Sequence, residues 1–249
     1  MDSVGASAAK GCHFYFARQV TFLSCADKIR GSRIGRSLRV GTARVGTVLD
    51  NFARYQRIAP FYDLLDLPFE TRRYQMVRPL LFENLGGQLL DAGVGTGRNC
   101  AFYPADAVVS GIDTSPAMLV RAQQRCPTLA EAGRLYQMNV THLEFPSGSF
   151  DAAVASFLFC VLPDELQVPA LRELGRVVKH GGLIRLLEYV RPHGTVRRFT
   201  ARLWQPWVAW AYGASFDRET EKYVPEAGLQ IIESRHVIGD LLKLITARV

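Results

Sequence analysis

No stretch of this chain approaches the roughly 20 uninterrupted apolar residues that a bilayer crossing requires, so nothing in it reads as a membrane span. It also has no CxxC pair. The five cysteines, Cys12, Cys25, Cys100, Cys126 and Cys160, are odd in number and dispersed. That pattern argues against a disulfide framework and a zinc site, and it predicts reduced thiols in a cytosol-like compartment. Acidic residues are scarce at one end only. Residues 1–49 hold eight basic side chains against Asp2 and Asp27, which is +6 of the formal net charge of +7. The body that follows is nearly neutral, so its charge gives no reason to expect a nucleic-acid partner.

The basic stretch has little apolar patterning and a centre rich in Gly, Ser and Arg (GSRIGRSLRVGTARVG). It lacks the continuous apolar region and small-residue cleavage site of a secretory signal. Three readings stay open for residues 1–50: a disordered, solvated tail, an Arg-rich transit or anionic-membrane segment, and a start codon placed too far upstream. Order is expected from residue 51, which makes 51–249 a single domain.

From there helix-like and strand-like segments alternate. Thr71–Leu85 reads as a helix, with Tyr74, Val77, Leu80, Leu81 and Leu85 at steps of three or four. Strands are expected at Gln88–Asp91, Ala107–Asp113, Leu135–Asn139, Ala152–Phe157 and Leu183–Tyr189. A helix should open at Ser115-Pro116, serine capping and proline at the first helical position. Another spans Asp164–Lys179 and is followed by a turn at His180-Gly181-Gly182. Gln230–Val237 and Leu241–Ala247 are separated only by Gly239-Asp240, too short for a crossover helix, and read as a hairpin. The expected fold is α/β: a doubly wound, mostly parallel seven-stranded sheet with an antiparallel hairpin at its C-terminal end.

The chemistry concentrates where the first strand ends, in Leu89-Leu90-Asp91-Ala92-Gly93-Val94-Gly95-Thr96-Gly97. Alternating glycines permit a tight turn and close approach of backbone to a ligand. A dinucleotide fingerprint would need glycine at 98, where Arg98 stands. Asp113 ends the second strand, where a carboxylate can accept hydrogen bonds from ribose hydroxyls. Thr114-Ser115-Pro116-Ala117-Met118-Leu119 follows it. Next come Met138-Asn139-Val140 with Leu143–Asp151, then Ser156-Phe157 at the end of the fourth strand. Leu171–Gly182 and Leu186–Val190 complete the series.

These segments, in this order and spacing, resemble the class I methyltransferases that use S-adenosylmethionine (SAM), in particular the methyltransferase type 11 domain. The resemblance covers about residues 55–249. It implies that Asp91 faces the cationic amino-acid end of SAM, with Gly93, Gly95, Thr96 and Gly97 forming the loop around it. By the same resemblance Asp113 and Thr114 serve the ribose, Met118 packs on the adenine, and Asn139 or the Val140 N–H bonds the adenine edge. Ser156 and Phe157 border the methyl-transfer site. His180 stands where relatives have proline and reads as a turn residue.

Displacement on a sulfonium needs positioning more than a covalent catalyst. No Ser/His/Asp or Cys/His arrangement stands out, and Glu188, Tyr189 and His193 are candidates only for handling an acceptor proton. Val196–Tyr212 carries all three tryptophans, Trp204, Trp207 and Trp210, beside Arg197, Arg198 and Arg202. That segment reads either as a lid packed on the core or as an apolar substrate mouth in peripheral contact with a membrane. The chain is most similar to the ubiquinone/menaquinone-biosynthesis and bacterial phosphatidylethanolamine N-methyltransferase branches, which implies a small lipophilic acceptor. The competing readings are an NAD-dependent oxidoreductase and a non-catalytic partner protein that keeps the SAM fold.

Overall fold

The computed structural model describes residues 74–192 and 218–249 continuously, together with 53, 55–59, 61–62, 194, 202–203, 205–210 and 213–215. The chain partitions into Met1–Val45 and Gly46–Val249, and every described residue belongs to the second part. The basic extension, His193 and Trp204 lie outside the described residues.

Among the described residues seven strands form one sheet: β1 (Gln88–Ala92), β2 (Val108–Asp113), β3 (Leu135–Gln137), β4 (Phe150–Ser156), β5 (Val178–Tyr189), β6 (Gln230–Ile238) and β7 (Leu242–Arg248). Their order is β3-β2-β1-β4-β5-β7-β6. The first five pair in parallel, while β7 runs antiparallel between β5 and β6. The expected sheet and its closing hairpin are both present.

Side chains that alternate along each strand fall on opposite faces of the sheet. Leu90, Ile112, Ala153, Leu186 and Ile245 belong to one buried cluster. Their neighbours Leu89, Val109, Ala152, Leu187 and Leu244 belong to the other. Both faces are covered, which explains why the strands read as apolar runs without polar alternation. Helix α1 (Pro116–Arg125) opens on Ser115, whose hydroxyl accepts the Met118 N–H. Helix α2 (Pro127–Glu131) follows at once. Helix α3 (Asp164–Val177) buries Leu171, Leu174 and Val177 on the first cluster, and α4 (Thr220–Glu226) buries Val224 there. Truncating Leu171 to alanine would cost about 2–5 kcal/mol.

Three sequence expectations are corrected. The helix expected through Leu85 breaks up: one α-turn at Gln75–Val77 gives way to a 3₁₀ turn at Arg78–Leu81. Pro79 lacks an N–H and cannot continue an α-helical ladder. The Arg185 guanidinium from β5 accepts the task of ending it, donating to the carbonyls of Leu80, Leu81 and Glu83. The helix before β5 stops at Val177, and the His180-Gly181-Gly182 turn is absorbed as an irregularity within β5 opposite Phe150–Ala152. The third correction concerns the thiols. Cys100 and Cys126 are joined as a disulfide, with Cα atoms 5.9 Å apart, a separation of 26 residues bridged by the fold. Spacing along the chain could not show it, since proximity here is created by the crossover from β1 to α1.

Candidate active site

The strand order reverses at β1, which has β2 on one side and β4 on the other. In an open α/β sheet this switch point is where the loops at the carboxyl ends diverge and leave a crevice. Asp91 and Ser156, both singled out by sequence, meet there around Asn99, with the glycine loop and Asp113 alongside.

Asp91 is fully buried, and its carboxylate accepts three hydrogen bonds from two side chains. Asn99 Nδ2 donates to both oxygens at 3.1 and 3.0 Å, and Tyr103 Oη donates to one at 2.6 Å. Arg78 Nη1 donates to Asn99 Oδ1 at 2.7 Å and to Ser156 Oγ at 3.2 Å. Desolvation pushes the Asp91 pKa up to about 6, against the hydrogen bonds of Tyr103 and Asn99 and the positive charge of Arg78. Burial and the adjacent Asp91 charge raise the Tyr103 phenol well above its ordinary value, so it stays protonated and remains a donor.

The glycine loop turns tightly from β1. Gly97 sits at φ +81°, and a Cβ there would lie 2.6 Å from Cys126 Sγ and 3.2 Å from Ala122 Cα, so this position admits only glycine. Gly95, at φ +55°, differs: a Cβ would meet nothing nearer than its own loop's Gly93 carbonyl, at 3.9 Å. The loop thus presses one side on α1 and leaves open space on the other. Thr96 is buried and receives Arg125 Nη1 at both its carbonyl and hydroxyl oxygens, 2.8 Å each. Asp113 fastens the same loop from β2, accepting Gly95 N–H at 3.0 Å and Ser115 N–H at 2.8 Å. Desolvation lifts its pKa to about 6 despite those bonds. Each carboxylate oxygen retains a further lone pair for a hydroxyl donor.

Met118 is buried in the first turn of α1. Ala117 N–H, at that helix start, donates to Gln56 Oε1 from the helical residues 55–59. Thr114 is exposed, and its carbonyl accepts Gln137 Nε2. Asn139 is exposed too, with its side-chain carbonyl turned onto the Thr141 N–H and hydroxyl, both at 3.0 Å. Val140 behind it is buried.

On the other side of the switch point the strand ends carry aromatic rings. Phe157 adopts φ +57°, a conformation that costs a branched or bulky residue strain. Its ring lies 4.9 Å from Tyr74 and 5.2 Å from Tyr189, with the Arg78 guanidinium 5.5 Å over its face. The phenols of Tyr74 and Tyr189 are hydrogen-bonded to each other. Glu188 lies beneath. Fully buried, it accepts the backbone N–H groups of Leu158, Phe159 and Cys160 at 2.9–3.0 Å. Desolvation raises its pKa to about 7 in spite of those three donors.

Arg78, Asn99 and Tyr103 were not among the residues predicted from sequence. Arg78 hides inside an apolar helical pattern. Asn99 and Tyr103 come shortly after the glycine motif, and the signal available was two polar side chains 8 and 12 residues beyond an acid in an apolar strand.

A family model described as a methyltransferase domain matches residues 89–182. The chain belongs to the class I SAM-dependent methyltransferases. Over 202 residues it is 30% identical to the ubiquinone/menaquinone biosynthesis C-methyltransferase of Geobacter sp. strain M21, covering 76% of this chain and 84% of that protein. It is 37% identical over 106 residues to phosphatidylethanolamine N-methyltransferase of Cereibacter sphaeroides, but there it spans about half the relative's length, 42% of this chain and 51% of that one. A SAM-dependent methyltransferase structure from Thermotoga maritima shares the fold, with a TM-score of 0.60 at 18% identity over 80% of this chain and all of that one. The cofactor is SAM, and the enzyme is a methyltransferase.

Proposed function

We propose that the enzyme methylates a small lipophilic acceptor, of quinone-precursor or phospholipid type, seated against the aromatic rings of Tyr74, Phe157 and Tyr189. The observation that carries this reading is that cluster itself, built on the ends of β4 and β5 beside the Asp91 network. The two named relatives act on a quinone and on a phospholipid, which supports the same class of acceptor.

We assign the residue roles that the resemblance implies, with the geometry in support. Asp91, oriented by Asn99 and Tyr103, complements the ammonium of the cofactor's amino-acid end. Gly93, Gly95, Thr96 and Gly97 supply a close-fitting backbone, and the open space at Gly95 fits a ligand laid along the loop. Asp113 and Thr114 serve the ribose hydroxyls, while Met118, Asn139 and Val140 border the base. Bound SAM supplies an electrophilic methyl carbon on a sulfonium. The protein's share is to exclude water and hold the acceptor in line, worth roughly 7–11 kcal/mol when the geometry is good. Ser156 and Phe157 form the boundary between the two ligands. Glu188 is engaged by three backbone donors, so of the two described candidates Tyr189, its phenol paired with that of Tyr74, is the better placed for orienting an acceptor hydroxyl or passing its proton.

The helical residues 202–203 and 205–210 extend this reading to a membrane surface. Leu203 is 65% exposed and Trp210 77%, seven positions apart in sequence, with Arg202 next to Leu203 exposed as well. Exposed apolar side chains with a cation among them suit the headgroup region of anionic lipid. Residues 51–249 are taken as the catalytic domain, peripheral to a membrane. No helix among the described residues is long and apolar enough to cross one.

The test is transfer from SAM labelled in the methyl group to three acceptors: phosphatidylethanolamine vesicles, a short-chain demethylated quinol, and a hydrophilic amine. Label entering either lipophilic product supports the proposal. Label entering only the amine overturns it. Titration with SAM and NAD separates the oxidoreductase alternative, since Arg98 occupies the position a dinucleotide loop reserves for glycine.

A further inference from the structure

The glycine loop is anchored at two points, and a cysteine stands at each. Cys100 lies one residue after Asn99 and three before Tyr103, the two side chains that hold Asp91. Cys126 directly follows Arg125, whose guanidinium holds Thr96. The loop itself rests on the sulfur, with the Gly97 carbonyl 3.6 Å from Cys126 Sγ. The two Cα atoms, 5.9 Å apart, are at the separation a disulfide spans without moving the backbone. Access to the two sulfurs is unequal. Cys126 is 3% exposed, whereas Cys100 is only half-buried. Among the described residues Cys160 is the contrast: buried beside Glu188, with its pKa pushed well up, it has neither a thiol partner nor thiolate character.

We infer that Cys100 and Cys126 form a reversible thiol–disulfide site that tightens the cofactor loop when oxidised. The inference rests on reading this loop as the place where SAM binds. With the bond closed, the segment carrying Asn99 and Tyr103 is tied to the end of α1, so the Asp91 network is set before ligand arrives. Pre-organisation of this kind raises affinity by removing an ordering cost. With the bond open, the segment is fastened only by its hydrogen bonds.

The step balances as thiol–disulfide exchange with a low-molecular-weight disulfide such as oxidised glutathione. The thiolate of the accessible Cys100 attacks one sulfur of the oxidant, forming a mixed disulfide and expelling one thiol. Cys126, as thiolate, then attacks the Cys100 sulfur, the intramolecular bond forms, and the second thiol leaves. Two protons and two electrons pass from the protein dithiol to the oxidant. Reduction runs the same path backward, beginning at the Cys100 sulfur.

The experiment uses the full chain equilibrated in glutathione buffers of graded poise. Alkylation and peptide mass measurement report the bond, and calorimetric titration with S-adenosylhomocysteine reports affinity. The bonded form should bind roughly 5- to 10-fold more tightly than the dithiothreitol-reduced form. Cys100→Ser should bind like the reduced protein and lose all redox response. Because Cys100 is only half-buried this variant should fold, and it carries the test if Cys126→Ser does not. Equal affinities with the bond verified would overturn the inference, as would no bond in the most oxidising buffer. Absence of binding in both redox states would instead overturn the reading of the loop on which the inference rests.

Discussion

Asp91 and Glu188 are both fully buried carboxylates near the ends of β1 and β5, the two strands that flank β4, yet their surroundings differ in kind. Asp91 is held by side chains, Asn99, Tyr103 and the charge of Arg78, and none of its recorded partners is a backbone group. Glu188 is held chiefly by backbone, three consecutive N–H groups of the chain leaving β4, with the Cys160 thiol as its side-chain partner. A carboxylate held by side chains can be re-aimed and can share its remaining lone pairs with a ligand. One that satisfies consecutive backbone donors fixes the course of a loop. On the proposed reading, the cofactor half of the crevice is built for recognition, and the acceptor half rests on a structural clasp.

Removing the clasp should have the largest effect. Glu188→Ala leaves buried N–H groups without an acceptor, and we expect a loss of about 3 kcal/mol or more in urea unfolding. Glu188→Gln keeps an acceptor oxygen and should lose less. A stability loss as small in the alanine variant as in the glutamine one would erase the distinction between the two acids. On the recognition side, Asp113→Ala should weaken SAM binding by about 1.5–3 kcal/mol in calorimetry, the range for charged hydrogen bonds. It should also lower stability in urea, though less than Glu188→Ala, because the Gly95 and Ser115 N–H groups lose their acceptor. Tyr103→Phe removes one donor to Asp91 and should cost about 1 kcal/mol of SAM affinity, read in the same titration.

Titration sharpens the comparison further. All three acids have folded pKa values raised by desolvation, Asp91 and Asp113 from 3.8 to about 6 and Glu188 from 4.5 to about 7. The folded protein therefore binds protons more tightly than the unfolded chain, and these groups favour folding most fully below their unfolded values. That contribution is lost as pH rises toward 6 and 7, so their share of stability falls between about pH 4 and 7 and then levels. Melting temperature against pH should show this slope, and Glu188→Gln should flatten its upper part while Asp91→Asn flattens the lower. An unchanged profile in Glu188→Gln would remove that acid from the slope.

The smallest effect belongs to the exposed helix. In a chain beginning at Asn51, so that the basic extension cannot bind lipid by itself, Leu203→Ser with Trp210→Ser should reduce co-sedimentation with anionic vesicles by a few-fold. Side chains that only partly enter the headgroup region recover a small fraction of the about 1.5–3 kcal/mol that full burial of each would give. SAM affinity should not change. Indifference of the parent to vesicles would reduce the helix to a lid.

Much of this architecture was legible from residue order. Strands β1 and β2 announce themselves because apolar runs end in an acid, and the Gly239-Asp240 link leaves no room for a crossover helix. Ser115-Pro116 marks a helix start by local chemistry alone, and the capping bond is present. What stayed hidden depends on three-dimensional coincidence. Arg78 enters the site only because Pro79 turns an expected α-helix into a 3₁₀ turn. Cys100 and Cys126 meet because β1, β2 and α1 fold back on the loop between them. Glu188 carries no local sign of which donors it will serve, since those lie 28–30 residues away.

Phe157 carries a further consequence. Its backbone is wound the left-handed way, which glycine would adopt more cheaply, by about 1 kcal/mol. Phe157→Gly would relax the backbone and at the same moment delete the ring that Tyr74, Tyr189 and Arg78 surround. Robustness and fitness for the reaction therefore pull in opposite directions at this one position. Selection for heat tolerance alone would drift toward glycine, whereas selection for turnover would keep a residue that the fold would otherwise reject.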